Sequence, residues 1–164
     1  MNEKDITEKL QKWMTEFVEV PNLKLGNWPP CPYARQARIS NKVGILFSDI
    51  ADIADTISKS LELLESKEVV VICFDHTLIE ATELRQLVEG INKQLMLNNY
   101  VILEDHPDAT EYVNGVHMNF GECGLLVIQR LDKLNKASEQ LKEKGYYDVW
   151  SKSELDEVVT WRIR

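Results

Sequence analysis

The sequence predicts an α/β domain in which helices pack on a sheet of four or five strands. Short apolar runs that are typical of buried strands occur at residues 43–47, 69–74, 100–103 and 125–128. A weaker run at 146–150 is a candidate edge strand. Because the chain has 164 residues and no linker, we expect residues 1–164 to form one domain with a full core.

Between the apolar runs, hydrophobic residues recur at helical spacing. The capping signals are Thr77-x-x-Glu80, Gly145 as a C-terminal stop, and either Ser151-x-x-Glu154 or Ser153-x-x-Asp156. Together these features predict helices at about residues 3–19, 50–64, 77–99, 131–145 and 151–159.

The order of the elements constrains the topology. Strands that are joined through a helix run parallel with right-handed crossovers, so the first three strands are expected to be parallel. From residue 69 onward the order is β-α-β-β-α-β, which is ferredoxin-like. An N-terminal helix and one βα unit are added in front of it.

Composition narrows the classes of partner. The net charge of −8 and the pI near 4.9 argue against a nucleic-acid or anionic-membrane partner, because such binding needs a basic face. No apolar run approaches the ~20 residues of a membrane span. We therefore expect a cytoplasmic protein with Cys31, Cys73 and Cys123 reduced. The composition does not predict an oligomeric state.

Titratable residues follow each of the first three strands: Ser48-Asp49, Asp75-His76 and Glu104 to Asp108. The carboxyl ends of parallel strands form one edge of the sheet, where ligands bind in open α/β folds. Asp49 and Asp75 could equally be helix caps. His106 and Asp108 are the stronger candidates, because Pro107 restricts their relation and no helical pattern follows directly.

The most rigid stretch is Asn27 to Arg35, with the sequence Asn-Trp-Pro-Pro-Cys-Pro-Tyr-Ala-Arg. Pro32 suits the first position of a helix, so Cys31 is predicted at an N-cap, where the helix dipole lowers a thiol pKa. If this helix points back toward His106, then Cys31 is the nucleophile or redox thiol, His106 the general base and Asp108 its orienter. The alternative is that Cys31 is a small buried hydrophobic residue.

Further residues could bind a substrate at this edge. Arg35 is a candidate clamp for an anionic group, and Asp75 and His76 follow the second strand. Arg130 is a weaker candidate, because an antiparallel fourth strand would carry it to the opposite edge. His76, His106 and His117 fit no compact metal-ligand spacing, so we predict no metal. The absence of a glycine-rich phosphate loop leaves any cofactor unidentified.

Several of these residues also match a family pattern. Trp13, Cys31-Pro32-Tyr33-Ala34-Arg35, His106-Pro107-Asp108, Asn114 and Arg130 resemble, in kind and order, a bacterial domain family of unknown function. Members of that family carry Cys-Pro-Phe-Ala-Lys and a downstream His-Pro-Asp. The resemblance implies a shared fold and a shared site that includes Asn114, but no established reaction.

Two functions are open at this point. One is a small enzyme that acts on a polar metabolite or peptide-like substrate through Cys31, His106 and Asp108. The other is a non-catalytic binding or assembly protein that uses residues 27–35 and the loop at 107–122 as a partner surface. An enzyme should have a closed pocket with a perturbed thiol, whereas a binding protein should display Trp28, Tyr33 and Tyr112 outward.

Overall fold

The computed structural model describes residues 1–163, and Arg164 lies outside the described part. Six α-helices are found there: α1 (Glu3–Trp13), α2 (Ala34–Ile39), α3 (Ile53–Leu63), α4 (Ala81–Leu95), α5 (Leu131–Glu143) and α6 (Lys152–Val158). The strands are β1 (Val43–Phe47), β2 (Val69–Phe74), β3 (Tyr100–Asp105), β4 (Tyr112–Val113), β5 (Val116–His117) and β6 (Gly124–Arg130). The predicted α/β class is confirmed.

The main sheet is mixed and has the strand order β1-β2-β6-β3. β1 pairs with β2 in parallel, whereas β6 is antiparallel to both β2 and β3. Because β6 runs against both neighbours, β1, β2 and β3 still point the same way and their carboxyl ends share one edge. Only β1 and β2 are directly paired in parallel, since β6 returns from β3 and inserts between β2 and β3.

The expected edge strand at 146–150 is wrong, because this segment is a series of turns. The Tyr146 hydroxyl donates to the Pro30 carbonyl, and the Tyr146 ring lies edge-on to Trp28. The sheet position beside β2 is already taken by β1. The aromatic residues therefore pack against the N-terminal segment, and the last strand of a ferredoxin-like order is missing.

Each face of the main sheet buries its own apolar cluster. On one face α3 and α4 cover alternate residues of β2, among them Ile72 and Phe74, which are fully buried. On the other face α1 packs through Ile6 and Leu10 against Val71 and its neighbours. This alternation follows from the period of two in a strand.

The start of α4 differs from the predicted capping box. The Asp75 carboxylate accepts hydrogen bonds from the Thr77 N–H at 3.0 Å and the Thr77 hydroxyl at 2.6 Å, forming a separate turn at 76–78. Because Thr77 is occupied in this way, α4 begins one turn later with a capping box between Glu80 and Glu83. The predicted box at Ser151 and Glu154 is confirmed.

The long loop at 107–122 contains the small hairpin of β4 and β5. Asn114 and Gly115 form its turn with φ angles of 47° and 81°, the left-handed region that a two-residue hairpin turn requires. No helix within residues 1–163 is long and apolar enough to cross a membrane.

Candidate functional site

His106 lies at the carboxyl edge of the sheet, directly after β3, and is only 2% exposed. Its Nδ1 accepts a hydrogen bond from the Asp108 N–H at 3.1 Å. The ring proton must therefore be on Nε2, which faces the Ile79 carbonyl at 2.9 Å and the His76 carbonyl at 3.2 Å. Both ring nitrogens of His106 are thus in use.

These contacts give His106 a clear structural role. They tie the turn that follows β2, at His76 to Ile79, to the end of β3. The Asp108 carboxylate is 74% exposed and lies 3.9 Å from Nδ1, so the backbone N–H of Asp108, rather than its carboxylate, orients the ring. The His76 ring packs edge-on against His106 with 5.6 Å between ring centroids.

A second network, which the sequence analysis missed, fixes the loop beside His106. Asn119 is buried, donates to Asp105 Oδ1 at 2.6 Å and to the Ala109 carbonyl at 3.1 Å, and accepts from the Glu111 N–H at 2.7 Å. The other oxygen of Asp105 accepts the Phe120 N–H at 2.9 Å. An asparagine next to apolar residues gives no signal in the sequence of this bridging role.

Cys31 lies in the turn before α2, and its N–H donates to the Val18 carbonyl at 3.1 Å. It is exposed as a residue, although protein atoms surround the thiol on its inner side. Burial raises the pKa of the thiol, the N–H groups of Tyr33 and Ala34 lower it by less, and the Glu19 carboxylate raises it further. The predicted N-cap position is wrong, because the N-cap of α2 is Tyr33, two residues after Cys31, and α2 is only six residues long.

The structure does not connect Cys31 with His106. No hydrogen bond or ion pair within residues 1–163 joins Cys31 to His106 or Asp108. Cys31 contacts Val18, which lies beyond the end of α1, whereas His106 contacts the turn after β2. Cys31 and His106 therefore form their hydrogen bonds with different parts of the chain.

The substrate-binding candidates are also dispersed. Asp75 caps its own turn, and the Thr77 hydroxyl and N–H hold the pKa of its carboxyl below the usual value. Arg130 is paired with Tyr100 in the register of β3 and β6, at the amino edge of β3, and donates to the Leu64 carbonyl at 3.1 Å. Arg130 is therefore at the opposite edge from His106, as an antiparallel β6 requires.

The remaining candidates lie on the N-terminal side of the molecule. Arg35 is an exposed residue in the first turn of α2. Asn114 occupies the hairpin turn, where its side-chain amide donates to the Lys24 carbonyl at 2.7 Å and its N–H donates to Glu154 at 3.1 Å. Asn114 thus positions the hairpin against the segment that leads to Cys31.

Burial accounts for the perturbed acids near β3. It raises the pKa of Glu104 and Asp105, and it raises that of Glu111 to about 7, with repulsion from the nearby carboxylates of Asp105 and Glu157 adding to the shift. Within residues 1–163, no three histidine, cysteine, aspartate or glutamate side chains are grouped closely enough to hold a metal ion.

The other two cysteines belong to the core. Cys73 and Cys123 are buried, and the neighbouring Cys73 thiol together with burial raises the pKa of Cys123. Neither thiol is available to a ligand at the surface.

Comparison of the whole chain with protein-family models, with curated proteins and with solved structures finds no match.

We expect His106→Ala to lower the free energy of unfolding by about 1–3 kcal/mol, because it leaves the Ile79 carbonyl and the Asp108 N–H without their partner. Urea denaturation followed by circular dichroism measures this loss. The matched control is Asp108→Ala, which removes only an exposed carboxylate and should stay within about 0.5 kcal/mol of the wild type. Equal losses for the two variants would contradict the structural role of His106.

Because the pKa of Glu111 is raised in the folded state, the folded protein binds more protons than the unfolded chain between about pH 4.5 and 7. Its contribution to stability is therefore present at low pH and is lost as the pH rises to 7. Glu111→Gln should flatten this decline in thermal melting temperature, whereas the control Glu139→Gln on α5 should not. The prediction is contradicted if the melting temperatures of the wild type and of Glu111→Gln change in the same way over this pH range.

Proposed function

We propose that this protein is a non-catalytic binding or assembly protein whose partner surface is built from residues 20–35 and the loop at 107–122. The observation that carries this proposal is that the two segments pack against each other. Asn114 donates to the Lys24 carbonyl, and Leu25 is buried with Val113 and Val116 of the hairpin. Two stretches far apart in sequence thus form one ordered surface.

This surface exposes large apolar side chains from ordered backbone. Leu23 is 87% exposed, Tyr112 is 54% exposed and Tyr33 is 41% exposed. Trp28, in contrast, is only partly exposed because its ring packs on Tyr146. Aromatic and apolar residues that are held in place before binding lose little entropy in a complex, which makes them typical interface anchors.

The catalytic alternative has weaker support. A cysteine enzyme of the expected kind needs a free imidazole nitrogen near a thiolate, but both nitrogens of His106 are hydrogen-bonded within the fold and the pKa of Cys31 is raised. A small polar or peptide-like substrate would also need the dispersed residues Arg35, His76 and Arg130 to converge. The partner we propose is therefore another protein that presents an apolar patch.

Site-specific photocrosslinking in cells tests the binding function. A photoreactive phenylalanine at position 23 should give a discrete crosslinked product that disappears when Tyr112→Asp is added. The control position is Leu97, which is 80% exposed but lies in the turn between α4 and β3. The proposal fails if positions 23 and 97 give the same products, or if Tyr112→Asp leaves the product at position 23 unchanged.

Alkylation of the native protein by iodoacetamide separates the two functions. Since burial raises the pKa of Cys31, its rate should keep rising at pH values above the ordinary thiol pKa of about 8.5. Cys31→Ser provides the background from the buried Cys73 and Cys123. An apparent pKa well below the ordinary value would instead favour the catalytic thiol.

A further inference from the structure

One edge of the main sheet is formed by β1, whose outer backbone groups form no backbone hydrogen bond with any residue from 1 to 163. In a parallel ladder only every second residue bonds to a given neighbour. The Ser48 N–H donates to the Cys73 carbonyl at 3.1 Å, and the Lys42 carbonyl accepts from the Val69 N–H at 3.2 Å, so the even-numbered residues face β2. Val43, Ile45 and Phe47 therefore turn their N–H and C=O groups outward.

The side chains of this edge are apolar and incompletely covered. Val43, Ile45 and Phe47 are half-buried, whereas Val70 and Ile72 on the adjacent strand are completely buried. A groove runs between this edge and α1, lined by Lys12, Met14, Thr15, Arg38, Val43 and Ile45. The run Val-Gly-Ile-Leu-Phe contains no proline and no charge, the usual residues that prevent pairing at a sheet edge.

The opposite edge, in contrast, is closed. At β3 the side-chain amide of Asn92, which is 5% exposed, donates to the Ile102 carbonyl and accepts from the Ile102 N–H, both at 2.9 Å. A primary amide on α4 thus takes the place of a neighbouring strand. The fold blocks pairing at β3 but leaves β1 open to another strand.

The two ends of β1 are flanked by charged residues of opposite sign. Lys12, Lys42 and Lys67 lie around the amino end, and within residues 1–163 none of them forms an ion pair with a carboxylate. Asp49 and Asp52, both exposed, follow the carboxyl end and likewise form no ion pair there. Glu68, whose N–H donates to the Lys42 carbonyl, offsets one of these lysines, so the start of the edge keeps a net positive charge while its finish is negative.

We propose that a second copy of this chain binds this edge, with the two β1 strands antiparallel about a two-fold axis at Ile45. An antiparallel pair brings the positive end of each copy to the negative end of the other, so the surface is complementary to itself. The outward groups of Val43 meet those of Phe47 in the second copy, and Ile45 pairs with its own equivalent. The result is a continuous eight-stranded sheet.

The geometry of this dimer follows from the register. With Ile45 at the axis, Asp49 of one copy lies opposite position 41 of the second copy, beside Lys42 and at the groove that Asn41 and Lys12 both line. Asp49 keeps extended backbone angles of φ −78° and ψ 151°, which continue the direction of β1. Alternate side chains of the added strand enter the groove beside α1, and the others face α3.

Sedimentation velocity of the full chain over a concentration series tests the dimer, and Ile45→Pro is the sharpest variant. The proline removes an outward N–H and no hydrogen bond to β2, so the monomer should retain its circular dichroism spectrum. Because the axis passes through Ile45, each dimer loses two hydrogen bonds, and the dissociation constant should rise about tenfold or more.

A charge swap makes the test independent of the folding of the proline variant. Lys12→Glu alone and Asp49→Lys alone should each weaken dimerisation and remove much of its salt sensitivity. The double variant Lys12→Glu/Asp49→Lys restores opposite signs across the two-fold axis and should recover most of the wild-type affinity. Single reversals without effect, or a double variant no better than either single one, overturn the proposal.

Two further outcomes also overturn it. One is a wild-type chain that remains monomeric at all concentrations, even if it binds a strand from another protein. The other is a dimer that Ile45→Pro leaves intact, since that dimer would use a different surface. Crosslinking at position 23 is expected to be unaffected by Ile45→Pro, so failure of the dimer and failure of the binding function remain distinguishable.

Discussion

The insertion of β6 between β2 and β3 is the constraint on which the rest of the structure depends. β6 is antiparallel to both neighbours and is apolar on both faces, so it occupies the centre of the sheet and satisfies both ladders. This position carries Arg130 to the amino edge and leaves Asp105 and His106 at the carboxyl edge. It also leaves β1, rather than a C-terminal strand, as the outer strand beside β2.

The polar residues at the carboxyl edge are used to fold the connections that leave the sheet. His106 binds two carbonyls of the turn after β2, and Asp105 and Asn119 together hold the start and end of the long loop. Buried polar groups must be hydrogen-bonded, and here Asp105 and Asn119 bond to each other while all three side chains bond to the nearby backbone. The same residue types that suggest catalysis in a sequence can therefore serve to anchor a loop.

Two surfaces remain after the polar edge has been accounted for. The hairpin and the proline-rich segment form one surface with exposed Leu23 and Tyr112, and β1 forms the outer strand at which we propose that a second copy binds. Both surfaces support the proposed binding function. At the opposite edge, the Asn92 side chain binds both backbone groups of Ile102, the contacts that a neighbouring strand would make there.

The sequence by itself determined the α/β class, the four long strands and most of the helices. Apolar residues recur with a period of two in a strand and of 3.6 in a helix, and this spacing can be recognised within a single segment. The sequence also carried the Asn114-Gly115 signal of the hairpin, which could have divided the loop at 107–122. Only the tertiary structure decided that β6 lies between β2 and β3, that residues 146–150 pack on Trp28, and that Cys31 and His106 have separate partners. These outcomes depend on which segments, distant in the sequence, pack against each other. The spacing of residues within one segment does not show which of several possible partners it will pack on.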